Sequence, residues 1–100
     1  MFVILLAQIP GQETTSLHIR LHVQHLKALD DAGKLVLCGP FTDYPGGMVI
    51  VRAADRDEAI SIAKSDPFVT QRVRTYEVRS WLLATASNEY LSKIGEDDPS

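Results

Sequence analysis

The chain has a single cysteine, Cys38, so no internal disulfide can staple it, and a reducing compartment suits it. Its apolar neighbours predict a buried spectator thiol. A basic run is missing as well. Lys and Arg number 10 against 13 Asp and Glu, a net charge of −3, which leaves no cation excess to neutralise phosphates and argues against a nucleic-acid surface. Arg72, Arg74 and Arg79 make only a local cluster, read as a solvated face. The apolar run Phe2 to Ala7 is too short to span a bilayer or to act as a signal core, and no positive residue precedes it. A cytoplasmic protein is expected, with neither membrane nor nucleic acid as partner. Internal repeats and linkers are absent, and Gly46-Gly47 is an isolated pair rather than a phosphate-binding fingerprint. A turn needing positive φ accounts for it.

What is present describes one core. With 45% hydrophobic and 23% charged residues in 100, the chain suits a single domain over residues 1–84, followed at 85–100 by a short helix and an acidic tail. Phe2 to Ala7 reads as a strand covered on both faces, closed by Pro10-Gly11. Thr14, Thr15 or Ser16 can cap the helix that follows, and Gly33 stands where a C-terminal glycine ends it. Leu35 to Cys38 and Met48 to Arg52 are further strands, separated by Gly39-Pro40 and a turn-rich loop. Asp55 with Glu58 opens a second helix, which must end near Asp66 because the residue before a proline is pushed out of the α region. Pro67 to Arg72 suits one further turn, and Thr75 to Leu83 a fourth strand. Asn88 is placed to cap the last short helix, which Gly95 closes.

The order βαββαβ is a split βαβ arrangement. Right-handed crossovers then give an α+β, ferredoxin-like domain, with a four-stranded antiparallel sheet ordered 4-1-3-2 and both helices on one face. The other face stays open. Strands with apolar residues at consecutive positions present more side chains than one helical layer covers, and such a patch marks an interface. A homodimer joined sheet to sheet is therefore expected, with Trp81 near the contact.

All three histidines, His18, His22 and His25, fall on the first helix, within a wedge of about 60° beside Leu21, Leu26 and Leu29. A ring on that face must find a hydrogen-bond partner. Topology brings the helix start, the end of the first strand, Gly39-Pro40 and Asp66 to one edge of the sheet. His18 and His22 lie in the first turns, so either one pairs with Asp66, whereas His25 is a turn further away. A carboxylate beside an imidazole fixes its tautomer and raises its basicity, the arrangement used in acid-base chemistry. Asp66-Pro67 is also a good cap for the turn after it, and the two roles are compatible. A metal fits less well, because three ligands spread along two turns of one helix do not converge on a tetrahedral ion. His18 and His22 with Asp66 would be the better set, and neither metal nor cofactor is expected. Tyr44 and Phe68 are candidate pocket walls, and Arg72 stands near enough to Asp66 in sequence to hold an anionic substrate.

From Met1 to Leu83 the chain resembles the YciI-like (YCII-related) family. The resemblance rests on the opening strand ending in Ala7-Gln8, a helix histidine with a leucine-rich turn after it, Gly33, Gly39-Pro40, Asp66-Pro67-Phe68 and the stretch Tyr76 to Trp81. It implies a dimeric α+β barrel, related in fold to muconolactone isomerases, with a His-Asp site. Counting back from Gly39-Pro40 puts the histidine on His22 and the aspartate on Asp66. Many relatives carry an arginine three residues before that histidine, where this chain has Ile19, and His18 is then the nearby replacement. Some relatives resemble dehydrochlorinases of hydroxyquinol-type rings. The expectation is a cofactor-free lyase or isomerase in which His22 moves a proton, Asp66 orients it, and His18, Gly39, Pro40, Tyr44, Phe68 and Arg72 shape the pocket for a small molecule. The alternative is a non-catalytic, dimeric ligand-binding or accessory module.

Overall fold

The computed structural model describes residues 1–85 and 87. Along the chain run β1 (Phe2–Gln8), α1 (Ser16–Asp31), β2 (Leu35–Pro40), β3 (Gly46–Val51), α2 (Arg56–Ser65), the single turn α3 (Pro67–Thr70) and β4 (Arg74–Ser80). The four strands form one sheet ordered β2-β3-β1-β4, with every neighbouring pair antiparallel. This is the ferredoxin-like α+β arrangement, reached by crossing over through α1 and α2. No helix among the described residues is long and apolar enough to cross a membrane. The terminal helix expected from Asn88 to Gly95 lies outside the described residues.

Local signals set the element ends. Thr15 caps α1, its hydroxyl accepting the N–H of His18. At the other end Gly33 has φ of +73°, the N–H of Lys34 reaches back to the carbonyl of Leu29, and the N–H of Gly33 reaches that of Asp30. This pair of bonds closes the helix in the way a left-handed glycine permits. Asp55 caps α2 through the N–H of Glu58. Asp66, extended at φ −64° and ψ 127° ahead of Pro67, stops α2 and caps α3. β4 ends at Ser80 rather than running on to Leu83, because its partner β1 begins opposite it at Phe2.

The core lies between one face of the sheet and the helices. Ile4, Leu6, Val49, Val51 and Val78 point from the strands toward Leu29, Ala59, Ile62, Ala63 and Phe68, with Val51 fully buried. Alternation along each strand puts Val3, Leu5, Met48 and Ile50 on the opposite face, with Leu37 paired to Ile50. Ile50 is buried but stands apart from the core cluster, and Leu37 is 66% exposed. Cys38, expected to be buried, is exposed: β2 is an edge strand, and its first neighbour lies on one side only.

Candidate functional site

Among the described residues Asp66 is the one buried charged or polar side chain, 3% exposed. A buried carboxylate needs donors, and a negative charge at the C-terminal end of α2 needs them more. Two groups answer. The backbone N–H of Phe68 donates to Oδ1 at 2.9 Å, and Nδ1 of His22 donates across both oxygens, 2.9 Å from Oδ1 and 2.8 Å from Oδ2. The Asp66-Pro67-Phe68 step thus caps α3 and grips α1 with one side chain. Because Nδ1–H is spent on the carboxylate, the neutral ring carries its lone pair at Nε2. Among the described residues no hydrogen bond engages Nε2.

The ring of Phe68 stacks on the imidazole of His22, centroids 4.0 Å apart and planes 15° from parallel. The guanidinium of Arg74 stands over the same phenyl ring, 4.9 Å from its centroid. His22, Phe68 and Arg74 line a cavity of about 560 Å³ between α1 and the β2-β3 half of the sheet. Its walls are mainly apolar, with Leu6, Ile19, Val23, Leu26 and Val49 among them, and Gly39, Pro40, Gly46 and Gly47 complete one side. A side chain at Gly47 would meet the carbonyl of Gly39 at 2.8 Å, and at Gly46, where φ is +128°, it would strike the carbonyl of Leu6. That wall is therefore bare backbone. The volume is that of a small-molecule site, and a mainly apolar lining with few convergent polar groups is the usual character of one.

The structure gathers some of the expected residues and disperses others. His22, Asp66, Phe68, Gly39 and Pro40 come together at the sheet edge that topology indicated. His18 does not line the cavity. Its Nδ1 instead accepts the backbone N–H of Thr15 at 3.1 Å, completing a capping box in the place usually held by glutamate or glutamine. Tyr44 is 63% exposed and lies against Phe41 beside a separate surface depression. Arg72, at φ 60° in the turn after α3, is exposed and outside the cavity lining, and Arg74 holds the place expected of it. A strand parity signal for this existed: positions 74, 76 and 78 share a face, and Tyr76 and Val78 pack with the core. Cys38 also lines the cavity.

Among the described residues His25 and Arg74 have displaced proton affinities. Burial lowers the pKa of His25 from the ordinary 6.5, Asp66 pulls it back up, and His22 pushes it down. Burial likewise lowers that of Arg74, against the opposing pull of Asp66. Among the described residues no group of three His, Cys, Asp or Glu side chains is placed to hold a metal ion. The arrangement is suited to proton transfer at Nε2 in a mainly apolar pocket.

Residues 1–82 match the family model of the YCII-related domain. A curated relative, the uncharacterized protein YjpA of Bacillus subtilis (strain 168), is 30% identical over 66 residues, which cover 66% of this chain and 78% of that protein. Among solved structures, the chain is similar to 5-chloro-2-hydroxyhydroquinone dehydrochlorinase (TftG) from Burkholderia phenoliruptrix AC1100, in complex with 2,5-dihydroxybenzoquinone. The TM-score is 0.64 and the identity 26%, with 83% of this chain and 94% of that one covered.

Proposed function

The chain belongs to the family of YCII-related domains, and from that premise and the site geometry we propose that it is a small lyase or isomerase in which His22 transfers a proton on a small cyclic, oxygen-bearing substrate. The observation that carries the reading is the Asp66 contact to Nδ1 of His22, which leaves Nε2 as the proton acceptor of a cavity-lining ring. When Nε2 takes a proton, the imidazolium that forms sits against a buried carboxylate already in place, so little reorganisation is needed. Such a base contributes on the order of 10²–10⁴ in rate.

Similarity to a dehydrochlorinase supports loss of HCl from a chlorinated hydroquinone as the first reaction to test. There, one ring hydroxyl first gives its proton to the ring carbon that bears chlorine, forming a keto tautomer with a tetrahedral CHCl centre. Nε2 of His22 then takes the proton of a second ring hydroxyl, its electron pair moves through the ring to form the quinone, and chloride leaves that carbon with the pair of the carbon–chlorine bond. The proton on His22 then passes to water. The ring is oxidised and the carbon–chlorine bond reduced within one molecule, so the step calls on no outside electron acceptor. We further infer a homodimer through the open sheet face, supported by Leu37, Val3, Leu5 and Met48 on that face.

The stacked and hydrogen-bonded setting of His22 favours one rival, a ligand-binding module in which the pair is structural. One experiment separates the two. Chloride release and solvent-deuterium incorporation are measured for 5-chloro-2-hydroxyhydroquinone and a panel of small cyclic enols, with wild type and His22→Ala. The expected result is turnover that falls by about 10²–10⁴ in the variant. Wild-type turnover in His22→Ala ends the catalytic reading, and a panel that is bound but never turned over supports the module.

A further inference from the structure

The cavity contains a positive charge, Arg74, that makes no ion pair among the described residues and feels the carboxylate of Asp66 only at longer range. Nη1 of Arg74 donates to the hydroxyl of Thr14 and the carbonyl of Val73. Nε and Nη2 have no acceptor among the described residues, and none of the ion pairs there includes Arg74. The side chain is half-buried and its charge partly stripped of water, a state that favours an anion as the missing partner. Apart from His22, α1 brings no basic side chain to the cavity. Ile19 lines it, while Arg20 and Lys27 are exposed and outside the lining. Phe68 touches both His22 and Arg74, and all three side chains line the one cavity, so the proton acceptor and the guanidinium belong to the same site.

We propose that Arg74 is the anion anchor of this cavity, gripping an ionised oxygen of a planar ring through Nε and Nη2 while His22 meets the proton to be moved. The substrate class is thereby narrowed to planar ring acids that are anionic near neutral pH: enolates, phenolates and ring carboxylates. This rests on the proton-transfer reading for the role of His22 but not for the grip itself. The fork of a guanidinium suits such oxygens better than a point charge does, because it offers two parallel N–H donors.

The test is calorimetric binding of 2,5-dihydroxybenzoquinone, an anion at neutral pH, against uncharged hydroquinone, with wild type, Arg74→Met, Arg74→Lys and His22→Gln. Wild type is expected to prefer the anion. Arg74→Met is expected to weaken anion binding by about 10-fold or more with little change for hydroquinone, and Arg74→Lys to fall between. Thermal melts report whether each variant is folded, and Arg74→Lys, which keeps the charge, carries the test if Arg74→Met is not. His22→Gln is expected to keep the preference for the anion. Loss of turnover in a His22 variant that still prefers the anion bears on proton transfer alone, so the two readings fail separately. Equal anion affinity in wild type and the Arg74 variants, or a wild type that binds the anion no better than hydroquinone, overturns the anchor.

Discussion

Oδ1 of Asp66 accepts the backbone N–H of Phe68 at 2.9 Å while the same carboxylate holds Nδ1 of His22. The bond to Phe68 fixes the first turn of α3, and that turn delivers the phenyl ring onto the face of the imidazole that the carboxylate grips. One side chain therefore sets the tautomer, the tilt and the stacking partner of His22. An N-cap on so short a helix would be a minor feature elsewhere. Here it is part of the site.

Asp66→Asn should keep the cap, because the amide oxygen still accepts from Phe68. Its nitrogen then replaces Oδ2 and donates to Nδ1 of His22, which moves the ring proton to Nε2 and removes the acceptor from the cavity. Nitrogen NMR of the histidine side chains reads this directly, and a His22 that stays protonated at Nδ1 contradicts it. Asp66→Ala loses both roles. A lost cap and an unmet imidazole donor together should cost about 2–4 kcal/mol in urea unfolding.

His25 should make stability depend on pH. Its folded pKa lies below 6.5, chiefly through burial, so the unfolded chain takes up the proton first as pH falls. Above that range both states are neutral and the residue contributes nothing; below it the folded state loses ground. His25→Gln, which cannot titrate, should gain in urea midpoint over wild type as pH drops from about 7.5 to about 5.5. A difference between the two that stays constant over this window would show that His25 titrates alike in both states.

Leu37, 66% exposed on the edge strand and paired to Ile50 on the open face, tests the dimer. Wild type should sediment as a dimer at tens of micromolar, and Leu37→Glu should shift it toward monomer with an unchanged circular dichroism spectrum, since burying a charge in an apolar interface is costly. A monomeric wild type at that concentration sinks the sheet-to-sheet pairing.

Much of the site was legible without coordinates. Strand order and helix direction bring the start of α1, Gly39-Pro40 and Asp66 to one edge, and the pairing of Asp66 with His22 follows from that geometry and the family register. The choice of supporting residues was not. His18 shares the wedge of His22 on a helical projection, but its distance from the helix start, three residues beyond Thr15, makes it a capping residue first. Arg72 is nearer Asp66 in sequence than Arg74, yet it sits in a turn at positive φ, and the strand starts a residue earlier than its apolar pattern suggests.

By itself, then, the sequence determined whatever depends on neighbours a few residues away: a cap for α1 within Thr14 to Ser16, the Asp55 cap, the glycine that ends α1, the proline that stops α2, and the strand order that right-handed connections leave available. Those features are governed by short-range sterics and backbone hydrogen bonds. Only the tertiary structure decided which side chains share a cavity, because that depends on how far α1 stands from the β2-β3 half of the sheet. Packing at long range also puts Cys38 on an exposed edge strand, sets Phe68 beside His22, and brings Arg74 to the cavity wall with no ion pair among the described residues.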